Sequence, residues 1–170
     1  MKAILPFVML SLVVSSCTNN QPTQPIPDID AMEESGNLGK CTVSIGVVYS
    51  WRDWQPNVQR PGQDGGSPLY IKVAVHADNS TGTALRLSWD AYVFDVATRE
   101  FHPIELVDKT GTPRWDGRVG DSEVREAELM THDGPYLAVG NQVIIVFRLR
   151  DQGRQVLWLQ SKKSRIGRSE

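Results

Sequence analysis

The run from Tyr70 to Ile104 reads YIKVAVHADNSTGTALRLSWDAYVFDVATREFHPI, and its opening residues decide the fold. Leu69, Ile71, Val73, Val75 and Ala77 alternate with Tyr70, Lys72, Ala74 and His76. Successive side chains of a strand point to opposite faces, so a period of two predicts a half-buried strand with Val73 and Val75 inside. Asp78-Asn79-Ser80-Thr81-Gly82 follows as turn chemistry, ending on a glycine that tolerates positive φ. Weaker strand patterns cover Ala84 to Trp89, Ala91 to Val96 and Phe101 to Val107.

Moving outward, the same period recurs on both sides. Cys41, Val43, Ile45, Val47, Tyr49 and Trp51 form one phase against Thr42, Ser44, Gly46, Val48 and Ser50. Val143, Ile145, Phe147 and Leu149 alternate with Ile144, Val146, Arg148 and Arg150, which places Ile145 and Phe147 in the core, and Gln155 to Gln160 is a further strand candidate. Asp121 to Met130 has Val124, Ala127 and Met130 at helical spacing and reads as an irregular segment or short helix, with an edge strand as the alternative. About seven short strands with recurrent turns predict an all-β chain folded as one antiparallel β-sandwich over residues 41–160.

The flanks have a different composition. Thr18 to Lys40 carries Pro22, Pro25 and Pro27, several amides and four acids, without an apolar period. It reads as a mobile tether whose r.m.s. reach is roughly 25–29 Å. Ser161 to Glu170 holds Lys162, Lys163, Arg165 and Arg168 against one acid and reads as a solvated basic tail. Residues 1–16, MKAILPFVMLSLVVSS, carry one charge and a short apolar run, too short to span the roughly 30 Å of a bilayer core and of signal-peptide proportions.

Two resemblances sharpen this organisation. Val14-Ser15-Ser16-Cys17 resembles the bacterial lipobox, which implies cleavage before Cys17, acylation of that residue and a mature tether over 17–40. Two or three acyl chains hold a protein on a membrane where one does not. Thr18 after the cysteine is similar to the outer-membrane-sorted class of Gram-negative lipoproteins. The Tyr70–Ile104 run and the Leu137-Ala138-Val139-Gly140 step before Gln142–Leu149 resemble the Ig-like domains of bacterial lipoproteins of the immunoprotective or unknown-function kind. That family implies an Ig-like sandwich on the cell envelope and no catalytic residues.

The chain offers little for chemistry. His76, His102 and His132 have no metal-ligand spacing, and no nucleophile elbow or phosphate cradle occurs, so neither a metal nor another cofactor is expected. Cys41 lies in an apolar register and reads as a buried, inert thiol. The 18 basic and 20 acidic residues, a net charge of −2, argue against a nucleic-acid partner. Two loops combine Trp with charge: Arg52-Asp53-Trp54-Gln55-Pro56-Asn57 and Thr112-Pro113-Arg114-Trp115-Asp116-Gly117-Arg118. Rigid aromatics beside Arg are typical of recognition surfaces. Trp54, Arg114, Trp115 and Arg118 are therefore the candidate binding residues, with Trp115 expected to be partly exposed. The reading is a non-catalytic, lipid-anchored envelope module that binds an envelope protein or a glycan. The alternative is an inhibitor or adaptor of an envelope enzyme or of a secretion or assembly complex.

Overall fold

A computed structural model of the chain describes residues 25–53, 67–80, 82–109, 114–131, 133–153 and 155–169. Seven strands of five residues or more carry the architecture among thirteen in these residues. In chain order the elements are β1 (Ser35–Leu38), β2 (Cys41–Asp53), β3 (Tyr70–Asn79), β4 (Leu85–Arg86), β5 (Ser88–Asp95), β6 (Glu100–Ile104) and β7 (Val107–Asp108). They continue with β8 (Arg118–Val119), β9 (Val124–Thr131), β10 (Gln142–Arg150), β11 (Val156–Gln160), β12 (Ser164–Arg165) and β13 (Gly167–Ser169).

The first sheet runs β1-β2-β3-β9-β7, with β13 added to β2; the second runs β11-β10-β5-β6, with β12 added to β10. Counting only the long strands, the first sheet holds the first, second and fifth, and the second holds the fourth, third, sixth and seventh. This is the immunoglobulin-like order of a β-sandwich with the fourth strand moved beside the third. Between the sheets, Val43, Val73, Leu129, Val93, Val143, Ile145 and Phe147 are each at most 1% exposed. Val75 joins them at 2%, so the alternation in β3 and β10 reads correctly.

Three expectations are overturned. Residues 121–130 are not helical: β9 pairs with β3 from Ile71↔Thr131 to Asp78↔Val124. That register buries Ala127, Leu129 and Thr131 rather than the helical set of Val124, Ala127 and Met130.

The tether is not free along its whole length. Residues 25–40 belong to the folded domain: a 3-10 turn over Ile29–Ala31, capped by the Asp28 carboxylate accepting from the Asp30 amide, lays Ile29 and Met32 on the outer face of the second sheet. There they cover Phe94, Ile144 and Val146. The unbroken apolar run Val143–Phe147 is thereby buried on both faces, which such runs require. The segment then pairs with β11 at Glu33↔Leu159 and enters β1 alongside β2.

The basic tail is likewise part of the fold. β12 extends the β10 ladder, Ile166 is 1% exposed, and β13 lies parallel to β2 at Trp51–Asp53. Its cations Lys162, Lys163, Arg165 and Arg168 stay exposed, so the backbone is ordered while the charges face water.

Candidate functional site

The phase of β2 changes halfway along. Ile45 pairs with Val75 but Val48 pairs with Val73, so Gly46 and Val47 together oppose Ala74. One extra residue in a strand is a β-bulge, and it turns every later side chain to the other face. Gly46 suits the position, because a Cβ there would stand 3.2 Å from the Ala74 Cβ. Beyond the bulge Val48 packs on the core while Ser50 and Arg52 are buried. Val47 and Tyr49, expected inside by simple alternation, are 61% and 58% exposed.

Outward of the first sheet this builds an aromatic surface. Trp51 pairs with Tyr70 across the ladder, their rings stacked at 5.8 Å and 13°. Tyr49 stands beside Lys72, whose Nζ lies 2.7 Å from Glu128 Oε1. Further along, His76 Nδ1 is 3.4 Å from Glu126 Oε1. A hollow of about 610 Å³ opens here over the small residues Gly46 and Ala74, walled by Val47, His76, Glu126 and Glu128. On the other side of Val47, a second hollow of about 520 Å³ is lined by Glu34 and by Lys162, Lys163 and Arg165. Val47 is thus a ridge between an acidic and a basic hollow. An apolar, aromatic patch left on a sheet face is the ordinary mark of an interaction surface.

The Trp115 loop does not form that surface, and of the other Trp loop only Arg52 and Asp53 are described. Trp54 lies outside the described residues. Arg52 points inward: its Nε donates to the Ser67 carbonyl and its Nη1 to the Leu137 carbonyl, both at 2.8 Å, beneath the ring of Tyr136. Trp115 is only 6% exposed, against the expected partial exposure. Its indole stacks on Trp89 at 5.3 Å, Nε1 donates to the Arg118 carbonyl and the backbone N–H donates to Asp108 Oδ2, both at 2.8 Å. The reason is Gly117, with φ +89° and an ideal Cβ 2.0 Å from the Leu87 carbonyl oxygen. Only glycine lets the loop turn that tightly onto Leu87 and push the indole inward. Arg114 and Arg118 remain exposed, with Asp116 bridged to Arg86 at 3.0 Å, but the aromatic anchor between them is a core plug.

Remaining chemistry-bearing groups are scattered. Among the described residues no three His, Cys, Asp or Glu side chains lie together. Cys41 is fully buried, and burial first, then the nearby Asp78 charge, pushes its thiol pKa up. On the second sheet's outer face, Asp90 accepts from Arg148 and Arg150, and Arg148 lies 5.7 Å over the Trp158 ring. Tyr92 stacks on the same indole at 6.2 Å. The aromatic patch of the first sheet was hidden from sequence reading by the bulge. Its one signal was Gly46 inside an otherwise regular strand pattern.

No protein-family model matches the chain, and no curated protein matches it. Among solved structures it is similar to an uncharacterized β-sandwich protein from Clostridium difficile 630, at 16% identity and a TM-score of 0.43 over 77% of this chain and 91% of that one. A Northeast Structural Genomics Consortium target is similar at 11% identity and a TM-score of 0.40, over 74% and 86% of the two chains.

Proposed function

We propose that this protein is an envelope lipoprotein, anchored through Cys17, whose Ig-like sandwich is a non-catalytic binding module. The observation that carries the reading is the exposure of Val47 and Tyr49 beside the stacked Trp51–Tyr70 pair. The ordered core would bury these side chains if the strand kept its phase, and the bulge spends apolar residues on solvent instead. The lipobox register at Val14–Cys17 supports the anchor. An envelope protein or a glycan is the partner class that an aromatic sheet face suits, because rigid rings contribute contact area at little entropic cost.

The test uses the full chain in a bacterial host. Wild type should take up a palmitate analogue and Cys17→Ser should not. A photo-crosslinking residue at position 49 should trap an envelope component that the same residue at Arg86, on the exposed β4, does not. Equal trapping at both positions, or none at either, would sink the binding surface while leaving the anchor to be judged by its own label.

A further inference from the structure

Val47 and the hollow beside it are a matched pair of shapes on one face. The side chain stands 61% exposed, and the hollow of about 610 Å³ next to it is floored by Gly46 and Ala74. Such a pair fits a second copy of itself through a two-fold axis, because residue i then meets j wherever j meets i. The ladder registers locate the axis. Running along the strands between β2 and β3, in the plane of contact, it exchanges those two strands. Val47 of each copy then falls over Ala74 of the other, and Tyr49 over Lys72, a cation on a ring.

The same axis exchanges what lies one chain spacing farther out. Beyond β3 runs β9, whose Glu126 and Glu128 stand beside His76 and Ala74 on the outer face. Beyond β2 the ladder is open at this level, since the β1 register stops at Ser44 and the β13 register starts at Trp51. The segment 162–165 lies along that gap, with Ser164 Oγ donating to the Val48 carbonyl at 3.4 Å. Each copy's acidic strand therefore faces the other's basic segment.

Charges on the two strips are opposite. Outward on β3 and β9 stand the acids Asp78, Glu126 and Glu128 against the single cation Lys72. Asp108 and Arg125 also wall the hollow but turn inward, to the Trp115 amide and toward Glu123. Along the gap, Lys162, Lys163 and Arg165 outnumber the acids Glu33 and Glu34. Glu34 is held by Lys162 at 3.8 Å, and Lys163 and Arg165 pair with no acid among the described residues. A ligand of one charge sign would be repelled by one strip or the other. A second copy carries both signs in the mirrored order, which is what specifies a register between faces.

We infer that this face pairs with the same face of a second copy in a two-fold dimer, Val47 of each seated over Gly46 and Ala74 of the other. The inference names the partner of the surface already proposed and rests on that reading, without drawing on the anchor. Four chain spacings of about 4.8 Å by eight residues at about 3.3 Å give a footprint of roughly 500 Å² per copy. That is the small end of specific interfaces, so the dimer is a reversible one.

The test makes two differently tagged copies of the full chain in one bacterial host, one with an aromatic azide in place of Tyr49. Irradiation should join the two tags in a single adduct, with the new bond on Lys72 or its neighbours. Glu126→Lys in both copies, or Lys163→Glu in both, should lower the yield about fivefold or more, since a two-fold contact sets each like-charge clash twice. Glu126→Lys in one copy with Lys163→Glu in the other should restore it, because both contacts are then again of opposite sign. A folding defect would not be restored in this way. Single variants without effect, or a mixed pair without recovery, overturn the dimer. An adduct with a different envelope component and none between the tags also overturns it, while leaving the binding surface standing. No adduct of any kind sinks both.

Discussion

Trp115 illustrates how a single backbone angle reassigns a side chain. With its two N–H groups donated to the Arg118 carbonyl and Asp108 and its indole on Trp89, Trp115 joins the main core. Trp115→Ala should therefore cost about 3–5 kcal/mol in urea unfolding, the range for large aromatics removed from cores. A loss within a few tenths of a kcal/mol would show that the ring carries no packing. Neighbouring Arg, Asp and Gly residues made this loop look solvent-facing, and no sequence rule reveals that Gly117 folds it back on Leu87. Cys41 is the opposite case, legible from its place in an alternating register. Its thiol holds its proton more tightly folded than unfolded, so the stabilisation is present below the unfolded pKa and is lost as pH rises through the folded one. Native protein should accordingly resist iodoacetamide at pH 8, and its stability should fall above about pH 9 with a slope that Cys41→Ala reduces. Rapid alkylation of the native state would contradict this.

At the level of elements, the segment Asp28–Met32 does what a separate strand or helix does in larger sandwiches: it covers a sheet face. Ile29→Ala should cost roughly 2–4 kcal/mol by thermal or urea unfolding, as buried Ile truncations do. A free tether would register no change. β3 and β10 were legible because each lies between neighbours and keeps one phase throughout. β2 was legible only as far as Ile45, because one inserted residue reverses the meaning of every position after it. β9 was ambiguous for another reason. Val124, Ala127 and Met130 fit a helix equally well, and only the partner strand β3 decides between the two periods.

Seen whole, the sandwich is closed along one side by the first and last of its described strands, since β1 pairs with Cys41–Ser44 of β2 and β13 with Trp51–Asp53. Apolar alternation spans 41 to 160, yet described residues on both sides of those bounds, from Ile26 to Ser169, pack on or pair with the sandwich. Isolated residues such as Ile29, Met32 and Ile166 carry no period, and their role appears only once the surfaces they fill exist. Ending the chain after Gln160 should strip β12 and β13 from their ladders, bare the edges of β10 and β2, and leave a protein that melts far below the full chain or aggregates. Unchanged melting would mean that the last strands are ornamental. The same closure bears on the timing of synthesis. A polypeptide made from its N terminus onward has its longest strand, β2, early, but the partner for Trp51–Asp53 is translated only after every other described strand. Until β13 emerges, that end of β2 has a partner on one side only, so the growing chain carries a bare strand edge for as long as the rest of the sandwich takes to make.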